Sequence, residues 1–189
     1  MNTPTLNFDS PAVIDGPYRY SLTRQWAPHL PPLVIIGLNP SKAGSERGGR
    51  NDDPTSIRCL KRAMGNPRLG WLLMVNLHAL IATYPDALKH HPDPVGPAND
   101  AWIMGAAAIP GAVVVAAWGA NEFARPRALK VTAMLADAGV RLYCLGRTKD
   151  GSPRHPGRLA YSTQLEPYEV MIAQPVNIER LFADMKAGE

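Results

Sequence analysis

Three uninterrupted apolar runs constrain this chain more than any other feature. They are Leu33-Val34-Ile35-Ile36-Gly37-Leu38, Trp71-Leu72-Leu73-Met74-Val75-Asn76-Leu77 and Val113-Val114-Val115-Ala116-Ala117-Trp118. A strand with one wet face alternates apolar and polar residues, whereas a continuous run is expected of a strand covered on both faces. A weaker fourth run is Arg141-Leu142-Tyr143-Cys144-Leu145. Helical patterns fall between them. Pro54 to Met64 has Asp53 as a candidate N-cap and proline at the first helical position. Asn99 to Ala108 is opened by Pro97 and Asn99. Arg127 to Ala138 carries Leu129, Ala133, Met134 and Leu135 on its apolar face, and Gly139 stops it. A short C-terminal helix is expected over Asn177 to Lys186, with Ile178, Leu181 and Phe182 on one side. This alternation predicts an α/β fold: a three-layer α/β/α arrangement with a mostly parallel central sheet. Tyr18-Arg19-Tyr20-Ser21-Leu22 alternates and is expected as an antiparallel edge hairpin.

A single domain over 1–189 is expected, since 189 residues suit one core. Hydrophobic residues at 46% and charged residues at 19% exclude a disordered chain. The 19 prolines sit mostly between apolar runs and read as ordered loops. Cys59 and Cys144 stand far apart, with no CxxC or Cys/His spacing, so no zinc site is expected and both thiols read as buried and reduced. The first residues show no basic segment followed by an apolar one, and no apolar stretch nears the roughly 18 residues of a membrane span. A cytoplasmic protein without membrane contact is the expectation. The net charge of +4 permits a polyanionic partner without demanding one.

In open α/β sheets ligands bind outside the carboxyl ends of the strands, so the strand exits are the residues to read. Asn39-Pro40-Ser41 leaves the first run. An amide there holds a water or a carbonyl without charge, or it closes a turn before proline. Asn76 ends the second run. Its carboxamide offers one acceptor and two donors, a match to the O4/N3 edge of a pyrimidine, or it ties neighbouring loops. Asp52 and Asp53, with Arg58 one turn on, can supply a base or orient a water. Asp53-Pro54-Thr55 also reads as a capped helix start. Trp118-Gly119 ends the third run, where the indole packs and the glycine admits a close neighbour. The stretch from Thr148 to Arg158 carries Lys149, Arg154, His155 and Arg158, which can grip a phosphodiester with His155 beside the chemistry, or form a solvated basic loop. His78 is a weaker candidate near Asn76. No GxSxG, Walker A or GxGxxG sequence is present.

Together these segments resemble a bacterial and phage family, domain of unknown function 1643. The pieces are Tyr18-Arg19-Tyr20, Gly37-Leu38-Asn39-Pro40-Ser41, Asp53-Pro54-Thr55, Asn76-Leu77, Asp93-Pro94-Val95-Gly96-Pro97, Ala117-Trp118-Gly119-Ala120, and Thr148-Lys149-Asp150-Gly151 through His155-Pro156. The family-like core spans about 18–160. The order is also similar, more distantly, to the uracil-DNA glycosylase superfamily. Gly37-Leu38-Asn39-Pro40 resembles the Gly-Ile-Asn-Pro motif of its mismatch-specific branch. Asn76 stands where an Asn reads the uracil edge, Trp118-Gly119 where a strand ends in Trp-Gly, and His155-Pro156 where a late loop begins. Three features depart from that pattern. No serine-proline follows His155-Pro156, Ser41 replaces glycine or tyrosine, and Asp53-Pro54-Thr55 has no counterpart.

The resemblance implies a DNA glycosylase that hydrolyses the N-glycosidic bond of a flipped, modified or mismatched pyrimidine, with DNA as its partner. In that reading Asn39, Asp53 and His155 are catalytic: Asn39 places the water, Asp53 assists it, and His155 stabilises charge on the leaving base. Pro40, Ser41, Asn76, Trp118 and Gly119 contact the substrate, and Lys149, Arg154 and Arg158 hold phosphates. The small Ser41 and Gly44 leave room for a larger base. No metal or organic cofactor is required, and a monomer is expected. Repair, base modification and defence against phage DNA all suit such an activity. The alternatives are a non-catalytic nucleic-acid or nucleotide-binding module of the same fold, or an enzyme acting on free nucleotides.

Overall fold

The computed structural model describes Leu6, Phe8–Ser41 and Asp53–Glu169. The expected C-terminal helix over 177–186, together with Gly44 and Asp52, lies outside the described residues.

The apolar runs form the centre of a seven-stranded sheet among the described residues. The strands are β1 (Ala12–Asp15), β2 (Tyr18–Gln25), β3 (Pro32–Gly37), β4 (Trp71–Asn76), β5 (Val113–Ala116), β6 (Leu142–Cys144) and β7 (Glu166–Pro167). Their order across the sheet is β1-β2-β4-β3-β5-β6-β7. The helices are α1 (Pro54–Met64), α2 (Ala87–His90), α3 (Asn99–Ala107) and α4 (Arg125–Asp137).

The continuous runs are buried on both faces, as their sequence requires. Val34, Ile36, Leu73, Val75, Val114 and Ala116 share one cluster with Ile103 and Ala106 of α3 and Val131 and Leu135 of α4. Leu33, Ile35, Leu72, Met74 and Val115 point the other way and pack on Cys59 and Ala63 of α1. The alternation of strand side chains thus places α1 on one face and α3 with α4 on the other.

The expectation of a mostly parallel sheet is corrected to a mixed one. The β4-β3, β3-β5 and β5-β6 pairs are parallel. The β1-β2, β2-β4 and β6-β7 pairs are antiparallel. Only Gly16 and Pro17 join β1 to β2, and so short a link permits an antiparallel pair alone. Gly16 takes the left-handed φ of 54° that the turn needs. The Tyr18–Leu22 segment thus forms the antiparallel hairpin expected at the edge of the sheet, with β1 as the outermost strand. As β2 it lies between β1 and β4, and its residues from Arg19 to Thr23 are buried.

Among the described residues no helix is long and apolar enough to cross a membrane. Cys59 and Cys144 are both free and buried, and burial pushes the Cys59 thiol up to about 12.

Candidate functional site at the strand exits

The chain enters the parallel part of the sheet at β3, adds β4 on one side, then crosses to add β5 and β6 on the other. The order reverses between β3 and β5, which is where a crevice opens in such sheets. A cavity of about 230 Å³ lies there. Asn39 and Ser41 after β3, Asn76 at the end of β4, Trp118 after β5, Asp53 at the start of α1, and His155 all line it. Residues from five stretches of sequence thus meet at one rim.

Asn76 is only 5% exposed, yet no described residue hydrogen-bonds its carboxamide. Its backbone is held firmly instead. Asn99 Nδ2 donates to the carbonyls of Asn76 and Leu77, both at 3.0 Å, and Arg127 Nε donates to the Leu77 carbonyl at 2.8 Å. Arg127 is itself buried and pairs with Asp100 at 2.5 Å, and Lys130 pairs with the other Asp100 oxygen at 2.9 Å. The carboxamide has room because Gly37 faces it across the β3-β4 pair. A Cβ on Gly37 would stand 2.6 Å from Asn76 Oδ1.

Asn39 donates both N–H groups of Nδ2 to backbone carbonyls, Pro40 at 3.0 Å and Ala82 at 2.8 Å. The remaining polar atom, Oδ1, is an acceptor of fixed orientation. Pro40 is buried and does not line the cavity; its carbonyl accepts from Asn39 and from Ala82 N.

Asp53 caps α1: Oδ1 accepts from Ser56 N at 2.8 Å, while Oδ2 accepts from Ser41 Oγ at 2.6 Å. Burial alone would raise its pKa. The hydrogen bonds from Ser41, Ser56 and Thr55, with the charge of Arg19, outweigh burial and hold the carboxyl below the ordinary range. It is therefore an anion at neutral pH, serving as helix cap and cavity wall together.

His155 sits at the mouth. It caps the 3-10 turn Pro156–Arg158, and its Nδ1 accepts from Gly157 N at 3.2 Å. That bond leaves the proton of the neutral ring on Nε2. The residue keeps part of its surface in solvent, but packing around the ring disfavours the charged form. Its pKa lies below the ordinary imidazole value, although Asp53 pulls upward.

Trp118 is 5% exposed and belongs to the core, meeting Tyr168 edge-on at 5.7 Å. Gly119 lines a neighbouring cavity rather than this one. Its φ of 75° explains the glycine. Lys149, Arg154 and Arg158 are exposed and none of them lines this cavity. The loop that carries them is not a loose basic strap. Asp150 accepts from Thr148 Oγ1 and from the Ser152 amide and hydroxyl, which organises a tight turn and lowers its pKa to about 2. His78 lies under the β3 exit, 2% exposed and stacked on Phe123 at 5.6 Å.

Three positions escaped the sequence reading. Arg19 lines the cavity at 3% exposure and donates to the Ser41 carbonyl at 3.4 Å. Arg127 and Asn99 hold the β4 exit from behind. An arginine in a strand and an arginine in a helix look like surface residues until the sheet order is known; Arg19 is buried because β2 is the inner strand of the edge hairpin.

No curated protein and no solved structure matches this chain. A family model, described as Protein of unknown function (DUF1643), matches residues 19–157. That span runs from Arg19 through Asn39, Asp53, Asn76 and Trp118 to His155 and Pro156, so it takes in the whole cavity lining, and the chain belongs to the DUF1643 family.

Proposed function

We propose that the chain is a DNA glycosylase-like enzyme that hydrolyses the N-glycosidic bond of a flipped pyrimidine in DNA, on a uracil-DNA glycosylase-like fold. One observation carries the reading. The nearly buried Asn76 carboxamide, without a hydrogen-bonding partner among the described residues, faces a cavity that Asn39, Asp53 and His155 also line. The Asn76 amide atoms open onto the cavity, so a ligand with a complementary edge can pair with them, each such hydrogen bond contributing about 0.5–1.5 kcal/mol net.

The chemistry follows from the atoms present. A water oxygen attacks C1′ while the C1′–N1 bond breaks and its electron pair leaves with the base. The sugar gains oxocarbenium character and the base becomes an anion, which takes up the proton the water loses. Asn39 Oδ1, its amide held by two carbonyls, accepts from that water. The Asp53 carboxylate, ionised and fixed, faces the developing positive charge. The Nε2–H of His155 donates toward the base oxygen that gains negative charge. Asn76 donates to and accepts from the base edge.

The test is a panel of duplexes carrying uracil, mismatched thymine, hydroxymethylcytosine or glucosylated cytosine, scored by alkali-labile site formation. Product from at least one, lost in Asn76→Leu and Asp53→Asn, is expected. Failure on all of them overturns the enzyme reading. The engagement of both Asp53 oxygens in protein hydrogen bonds favours a second reading, a binding module of the same fold without turnover. Salt-sensitive DNA binding with no product selects that one.

A further inference from the structure

A second cavity, of about 360 Å³, lies on the other side of the β5 exit. Trp118 lines both cavities, so the two are immediate neighbours. The second is built from different chemistry. Tyr168 stands edge-on to Trp118, and the Arg147 guanidinium lies 4.7 Å from the Tyr168 ring centroid. Arg147 is fixed there by donating to the carbonyls of Glu169 at 3.0 Å and Pro167 at 3.3 Å. Arg125, first residue of α4, presents a side chain that is 57% exposed and pairs with Asp150 at 3.3 Å. Each guanidinium in the lining has a carboxylate neighbour, Arg125 with Asp150 and Arg147 with Glu166 at 3.9 Å, and the nearly buried rings of Trp118 and Tyr168 form the back wall.

A guanidinium layered on an aromatic ring, beside a second and more exposed guanidinium, suits a base and its phosphate. We propose that this second cavity receives the nucleotide adjacent in the strand to the one held in the first, with the Arg147 guanidinium, backed by Tyr168, against its base and Arg125 on its phosphate. The inference rests on the DNA reading above and adds its consequence: the site selects a two-nucleotide step, so the neighbouring base affects recognition. Arg125 exchanges its contact with Asp150 for the phosphate, while Arg147 remains a fixed wall.

The experiment measures affinity of the full chain for short single-stranded DNA oligomers of abasic residues carrying one pyrimidine or two adjacent pyrimidines. The second base is expected to tighten binding about fivefold or more. Arg125→Ala, a change at an exposed side chain, is expected to erode that gain and to lower the slope of log affinity against log salt by about one. A one-base oligomer that binds while the second adjacent base adds nothing overturns this inference and leaves the first cavity's role standing. A free mononucleotide that competes as well as the two-base oligomer also overturns it. No base-dependent binding by any oligomer overturns this inference and the DNA reading together.

Discussion

The carboxamide oxygen of Asn76 stands 2.6 Å from the point where a Cβ on Gly37 would sit. The two residues are paired neighbours at the ends of β4 and β3, so the absence of a side chain on one leaves space for the other. Gly37 does not have a positive φ, and alanine fits its backbone without strain. The group that must yield is the end of a side chain rather than a main chain. Gly37→Ala is therefore expected to turn the Asn76 amide away while the melting temperature moves by only a few degrees. The measurements are the Asn76 side-chain amide resonances and DNA binding. Both are expected to change, with binding down about tenfold, an order set by one lost pair of hydrogen bonds.

Asp53 has two duties that substitution separates. As an N-cap it is replaceable by asparagine at a cost of a few tenths of a kcal/mol, whereas alanine costs about 0.5–2 kcal/mol. As a fixed negative charge it is replaceable by neither. Urea unfolding is expected to rank the stabilities wild type, Asp53→Asn, Asp53→Ala in falling order. Base release is expected to fall equally in both variants. If Asp53→Asn retains full activity, the charge has no part in the reaction and Asp53 is a helix cap alone.

Much of this arrangement was legible in the sequence, because burial on both faces leaves a direct trace. The run from Trp71 gave β4, and Pro54 to Met64 is α1 with the N-cap read at Asp53. The strand exits named Asn39, Asn76 and His155, since a parallel sheet gathers such exits at one end. What failed was partner choice. Alternation in Tyr18–Leu22 marks the antiparallel hairpin found at the sheet edge as β1-β2, but not the antiparallel β2-β4 pair that joins it to the parallel strands, so the sheet is expected as mostly parallel. β1 and β7 are 4 and 2 residues long and carry too little pattern to read. Arg19, Asn99 and Arg127 are polar residues buried by contacts distant in sequence. Nothing local distinguishes them from solvated ones.

The two shifted imidazoles give a pH dependence whose sign is fixed. Burial lowers the pKa of His78, against the hydrogen bond to the Leu38 carbonyl, and desolvation lowers that of His155. In the unfolded chain both rings titrate near 6.5. Between that value and their lower native values the unfolded state binds more protons, so stability rises with pH in that window. The contribution is whole above the unfolded pKa and is lost as the pH falls through the folded ones. Unfolding free energy measured across the acid side of neutrality is expected to decline, and to decline less steeply in His155→Gln. An unchanged slope in that variant would assign the dependence to His78 and the carboxylates.

Arg127 ties the β4 exit to α3 and α4 through a charge that cannot reach water. It is 8% exposed, bonds the Leu77 carbonyl through Nε and pairs with Asp100. Breaking a fully buried ion pair by removing one partner costs about 3–5 kcal/mol. Here the side chain of Asp100 is 37% exposed and keeps Lys130, so the charge left behind is partly solvated. Arg127→Met is accordingly expected to lose less than that range. Asn99→Leu leaves the Asn76 carbonyl without its side-chain donor and is expected to cost about 1–3 kcal/mol. Both variants slacken the backbone that carries the Asn76 carboxamide, so DNA binding is expected to weaken beyond what the remaining folded fraction accounts for. Binding that simply tracks the folded fraction would make Asn99 and Arg127 supports of the fold, with no share in positioning the site.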